Sequence, residues 1–116
     1  MPGRRKMREY DLHLRGTKVD AALARLERII AQERGEGGGI FAVVTGYGSS
    51  GGTSLIKEAV LAACARYARQ CHIAGFLDGE FAGDVFSPQA LAFPAMHALP
   101  PQCKRCPNPG VVYICL

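Results

Sequence analysis

The sequence has no run of apolar residues near the roughly 18 that a membrane-spanning helix needs, so we expect no membrane association. No apolar stretch of the kind found in secretion signals follows the basic first residues, which favours a cytoplasmic protein with reduced thiols. The excess of positive charge is also small, because the net charge is only +4. With 116 residues and no internal repeat, the chain is expected to form one small domain.

A second pair of closely spaced cysteines is missing as well. Cys103 and Cys106 have the spacing of a zinc knuckle, but a zinc site needs four ligands. Within reach the sequence offers only Cys71, His72 and His97. The sequence therefore does not predict a complete metal site, and Cys103 and Cys106 are kept only as weak candidates for metal ligands.

Residues 1–8 are predicted to form a flexible basic arm, and residues 9–116 the single domain. The arm is rich in Arg and Lys, a composition that suits a polyanion but is also common in solvated termini.

Hydrophobic periodicity predicts the elements of the domain. Residues 9–14 alternate as a strand, Val19 to about Arg34 has a helical stripe, and Gly35 is expected to be its left-handed C-cap. A buried strand follows at 40–45, then a helix from Thr53 or Ser54, and strands at 72–77 and 110–116. Residues 81–109, rich in proline, are predicted to form an ordered loop packed on the body. The order β-α-β-α-β-β indicates a two-layer α/β sandwich.

The stretch from Ile40 to Lys57 is a strand, a glycine-rich loop and a helix start. Its loop contains four glycines interleaved with hydroxyl and aromatic residues: Gly46, Tyr47, Gly48, Ser49, Ser50, Gly51, Gly52 and Thr53. Free backbone N–H groups and the positive end of a helix then converge on one point, which predicts a site for a phosphate or carboxylate.

Two well-known phosphate loops fit this stretch poorly. A Walker loop needs a lysine where this chain has Gly52, so no ammonium would reach a terminal phosphate. Gly46, Gly48 and Gly51 match the dinucleotide pattern GxGxxG, but the loop follows the second strand and the chain is too short for that fold.

A third interpretation includes the first strand. Asp11 and His13 share one strand face, and in a parallel βαβ unit they would lie beside the glycine loop. A carboxylate and an imidazole next to an anion site predict acid–base cleavage of a phosphodiester. Arg15 and Lys57 are placed to offset phosphate charge.

Two motifs resemble the Smr (small MutS-related) domain family. The segment Tyr10-Asp-Leu-His-Leu-Arg-Gly-Thr-Lys-Val-Asp-Ala-Ala-Leu is similar to the opening of that domain. Thr45-Gly-Tyr-Gly, followed by a Ser/Gly spacer and Leu55-Ile-Lys57, is similar to its second signature, and residues 108–116 resemble its last strand.

The resemblance implies a four-stranded mixed sheet with two helices on one face, as in the C-terminal domain of the third bacterial initiation factor. It also implies binding, and in several members cleavage, of branched or structured DNA or RNA. Its functional elements correspond here to Asp11, His13, Gly46 and Gly48. This chain has Thr45 where many members have histidine, and the long loop at 81–109 has no counterpart in compact members.

The expected function is therefore an endonuclease. N–H groups of about Gly48–Thr53 would hold a phosphate with the hydroxyls of Ser49, Ser50 and Thr53, and Tyr47 would stack on a base. His13, oriented by Asp11, would be the general base or acid; RNA cleavage would need no metal, whereas on DNA the pair would hold a divalent ion. The alternatives are a non-catalytic nucleic-acid or ribosome-binding module and a small anion- or nucleotide-binding enzyme.

Overall fold

The structure is a computed structural model that describes residues 7–12, 18–46, 55–84, 86–94, 96, 99, 105 and 108–116. The described strands are β1 (Arg8–Asp11), β2 (Ile40–Val44), β3 (Gly75–Asp78) and β4 (Val111–Cys115). The described helices are α1 (Val19–Gly35), α2 (Leu55–Arg69), α3 (Pro88–Ala92) and a short 3₁₀ helix at Gly79–Phe81.

The described strands form one mixed sheet of four strands in the order β1-β2-β4-β3. β1 is parallel to β2, whereas β4 is antiparallel to both β2 and β3. β1, β2 and β3 therefore run in one direction, and their carboxyl ends lie along one edge of the sheet. This confirms the predicted α/β architecture with its four-stranded mixed sheet.

The larger core lies between one face of the sheet and the two long helices. It contains Leu26 from α1, Val60 and Cys64 from α2, and Phe41 and Ile114 from the sheet, all of which are fully buried. β1 is also held to α1 by polar contacts, since Tyr10 Oη donates to the Glu33 carboxylate.

The opposite face is covered by the segment that follows β3. Phe93 and Leu99 are buried there against Leu77 and Tyr113, as the predicted packing of the 81–109 segment requires. Two other apolar residues of that segment, Phe86 and Leu91, are instead exposed to 84% and 71%.

The segment is also more regular than the sequence analysis predicted, because α3 forms within it. Ser87 is its N-cap, with Oγ accepting a hydrogen bond from the Ala90 N–H at 3.1 Å, and Pro88 occupies the first turn. Serine before proline is a known helix-start signal, so the sequence did contain the information.

Both long helices end in hydrogen bonds of the Schellman type, and these shift two predicted boundaries. In α1 the left-handed residue is Gly37 (φ 109°), whose successor Gly38 donates to Glu33 O at 2.8 Å; the prediction that Gly35 has this role was wrong. In α2 the left-handed residue is Cys71 (φ 58°), and His72 donates to Tyr67 O at 2.8 Å. His72 thus belongs to the helix cap, and β3 begins later than predicted, at Gly75.

Candidate functional site

The carboxyl ends of β1 and β2 lie side by side, as the third interpretation of the glycine loop requires. Asp11 is in register with Val44, and the Leu12 N–H donates to Val44 O at 2.8 Å. The chain therefore leaves both strands from the same edge of the sheet. In parallel α/β sheets this edge is where ligands bind.

Three of the residues predicted for the site lie in the described part of the chain: Asp11, Gly46 and Lys57. The others lie outside the described residues, so their predicted roles stay predictions; they are His13, Arg15, Tyr47, Gly48, Ser49, Ser50, Gly51, Gly52 and Thr53. Most of the basic arm and both Cys103 and Cys106 lie outside as well.

Asp11 is the last residue of β1 and is exposed. Its backbone carbonyl accepts a hydrogen bond from Arg25 Nε at 3.1 Å. Arg25 belongs to α1 and is half-buried, so its guanidinium is held close to the end of β1. This cation was not predicted from the sequence, because nothing in the helical pattern of α1 indicates which turn lies over the end of β1.

Gly46 begins the glycine loop in a left-handed conformation, with φ at 71°. The N–H groups of Thr45 and Gly46 both donate to Gly110 O, at 2.7 and 3.1 Å. These two donors are therefore used within the fold, and the base of the loop is fixed to the start of β4. Any backbone donors for an anion must therefore come from residues beyond Gly46.

Thr45 is the last residue before the glycine loop, and its side chain points into the fold. It is 0% exposed, and its Oγ1 donates to Gly110 O at 3.2 Å. The hydroxyl thus supports the loop instead of facing solvent at the edge of the sheet.

Lys57, two residues after the first described residue of α2, forms an ion pair with Asp78 at the carboxyl end of β3. Lys57 Nζ lies 3.0 Å from Asp78 Oδ1, and the side chains are only 10% and 13% exposed. The same Asp78 oxygen accepts the Glu80 N–H at 3.0 Å. Lys57 is thus at the predicted edge of the sheet, but Asp78 already balances much of its charge.

Asp78 is not among the residues that the sequence predicts for the site. The pairing with Lys57 depends on the packing of α2 against β3 in the tertiary structure. No spacing rule links positions 57 and 78, so the sequence alone gave no signal for it.

Among the described residues, no group of three or more His, Cys, Asp or Glu side chains is placed to hold a metal ion. Within the same residues, no helix is both long and apolar enough to cross a membrane.

Compared with known proteins, the chain matches no family model, no curated protein sequence and no solved structure.

Proposed function

We propose that this chain is an Smr-like domain that binds structured DNA or RNA in the cytoplasm and cleaves it at the edge of the sheet where β1 and β2 end. The observation that supports the proposal is the pairing of Leu12 with Val44, because His13 follows Leu12 directly and the glycine loop follows β2.

In this proposal the phosphate is bound by loop N–H groups beyond Gly46, since the N–H of Gly46 donates to Gly110. Arg25 supplies positive charge beside Asp11 and is a better phosphate partner than Lys57, whose ammonium is paired with Asp78. His13 removes or donates the proton, and Asp11 orients it.

The test uses labelled branched DNA and structured RNA, each with Mg²⁺ and with a chelator. We expect the wild-type protein to give a cleavage product and His13→Ala to abolish cleavage while it leaves binding intact. His72→Ala is the matched control, because His72 is exposed and precedes β3. It therefore lies near the amino end of that strand, whereas the proposed site lies at the carboxyl ends of β1 and β2. Cleavage by His13→Ala at the wild-type rate would refute the catalytic assignment.

Binding is tested separately with Arg25→Ala. Loss of one phosphate contact should weaken binding and make the salt dependence shallower by about one counterion. Arg28→Ala is the control, since Arg28 lies on the same helix but is exposed. Equal effects of the two substitutions would contradict the assignment of Arg25 to the site.

One observation favours a second candidate, a module that binds nucleic acid or the ribosome without cleaving. The buried hydroxyl of Thr45 does not replace the histidine that many Smr domains have at this position. This candidate predicts salt-sensitive binding with no product at any protein concentration. A small nucleotide-binding enzyme would differ from both, because a mononucleotide would raise its melting temperature while long nucleic acids would not bind.

A further inference from the structure

The flank of α1 beside β1 is not covered by another strand, because β1 is an edge strand of the described sheet and pairs only with β2. Two hydrogen bonds show which side of the helix forms this flank. Arg25 Nε donates to the carbonyl of Asp11 at the end of β1, at 3.1 Å. Eleven residues further along, or about three turns, the C-cap Glu36 accepts from Arg8 at the start of β1, at 2.9 Å. The helix therefore runs from the proposed site along the whole length of β1.

Three hydrogen-bond donors follow one another on this flank at intervals of seven residues: Lys18, Arg25 and Gln32. Seven residues are about two helical turns, so the three lie on the same side of α1 as its two contacts with β1. Lys18 and Gln32 are exposed, and Arg25 is half-buried. Neither Lys18 nor Arg25 makes an ion pair with another described residue. We call this row of three donors the α1 ridge.

The carboxylates of α1 lie away from the ridge or are already paired. Glu27 is on the flank that faces α2, where its Oε1 accepts a hydrogen bond from a tyrosine of that helix at 3.3 Å. Asp20 lies two turns earlier on the same side as Glu27. Glu33 is buried, and Glu36, beyond the end of the ridge, is paired with β1. The ridge is therefore positively charged and is complementary to an anionic partner.

The arrangement of the donors indicates which anion fits. Donors repeated along a straight helix suit a polyanion with regularly spaced charges, such as a nucleic-acid backbone. Proteins that bind single strands add exposed aromatic side chains on which the bases stack. α1 contains no aromatic residue, and Tyr10, the only aromatic residue of β1, is half-buried and donates to the Glu33 carboxylate. A double strand, whose bases are already stacked, needs only backbone contacts of the kind that this flank offers.

We propose that the α1 ridge binds the phosphate backbone of a double-stranded arm of the nucleic acid, which runs from the ends of β1 and β2 towards the start of β1. The inference rests on the proposed function and adds to it the surface that holds the arm and the length of duplex in contact. Fourteen residues separate Lys18 from Gln32, which is about 21 Å along the helix. At about 3.4 Å per base pair, the ridge follows about six base pairs.

The first test adds a charge at the far end of the ridge. The probe is a forked DNA with a double-stranded arm of about 14 base pairs, and fluorescence anisotropy measures its binding over a range of salt concentrations with a chelator present. Gln32→Lys should tighten binding and steepen the dependence of log K on log salt concentration by about one counterion. Lys18→Ala should make that dependence shallower by about one. Circular dichroism checks that each variant is folded.

A second probe locates the contact on the arm. In this DNA the phosphates between about four and eight base pairs from the fork are replaced by neutral methylphosphonates, which removes the charge that the far end of the ridge would meet. The effect of Gln32→Lys should then disappear. Ala24→Lys is the matched control, because it adds the same charge at an exposed position of α1 that is turned away from the ridge by about 80–120°. Its effect should be the same on both probes.

The outcomes separate this inference from the proposed function. A wild-type protein that binds neither probe would overturn both. Binding that Gln32→Lys changes no more than Ala24→Lys does, or changes equally on the two probes, would overturn the role of the α1 ridge alone. An unchanged salt dependence in Lys18→Ala would overturn it as well.

Discussion

Replacing Asp78 with alanine should destabilise the fold markedly, because it leaves the Lys57 ammonium without its carboxylate. The two groups are 3.0 Å apart, and the Lys57 side chain is 10% exposed. Removing one partner of a buried ion pair costs about 3–5 kcal/mol. The hydrogen bond from Glu80 N–H is lost as well, at about 1 kcal/mol. Since both side chains keep some contact with water, we expect a total of about 3 kcal/mol.

The chain contains a matched control for the hydrogen bond alone. Asp84 Oδ1 accepts the N–H of Phe86, two residues on, at 3.2 Å, just as Asp78 accepts that of Glu80. No ion pair between Asp84 and another described residue accompanies this bond. Asp84→Ala should therefore cost only about 1 kcal/mol. The difference between the two variants measures the effect of removing the Asp78 carboxylate from the Lys57 ammonium.

A double-mutant cycle completes the measurement. Lys57→Met should cost about 2 kcal/mol, less than Asp78→Ala, because the carboxylate keeps its backbone donor. The double variant should cost less than the sum by about 1–3 kcal/mol. Urea unfolding followed by circular dichroism gives all four free energies, which suits a chain without tryptophan. Additive costs, or an Asp78→Ala cost equal to that of Asp84→Ala, would refute the reasoning.

Two further predictions concern a glycine contact and a buried thiol. A Cβ on Gly79 would lie 2.3 Å from Asn108 O and 2.6 Å from Val111 O, so Gly79→Ala should cost about 3 kcal/mol. A Cβ on Gly35 would have no other atom within 4 Å, so Gly35→Ala should stabilise α1 by about 0.5–1 kcal/mol. Equal melting temperatures of the two variants would contradict both expectations. Burial raises the pKa of Cys64 from 9.0 to about 12, so the unfolded thiol ionises first and stability should fall as pH rises above about 9. Urea unfolding between pH 8 and 10.5 should give a shallower decline for Cys64→Ala than for Cys71→Ser, and identical slopes would count against this cause.

Much of the fold was predictable because it depends on local periodicity. The stripe in α1 predicted a helix that begins at Val19, and the apolar run from Ile40 predicted β2; both are confirmed. The errors lie at boundaries set by capping, where Gly37 and Cys71, not Gly35, take the left-handed conformation. Shifts of two or three residues of this kind depend on hydrogen bonds to the last helical carbonyls, which periodicity does not report.

The candidate site was likewise predictable only in part from the sequence. By itself the sequence determined the glycine loop after β2 and the Asp-x-His pair near the end of β1, because residue type and order carry that information. Only the tertiary structure decided that β1 and β2 are neighbours, that Arg25 lies over Asp11, and that Asp78 neutralises Lys57. Those contacts join residues 14 to 33 positions apart, and they form because burial of the shared core, not any local preference, brings the elements together.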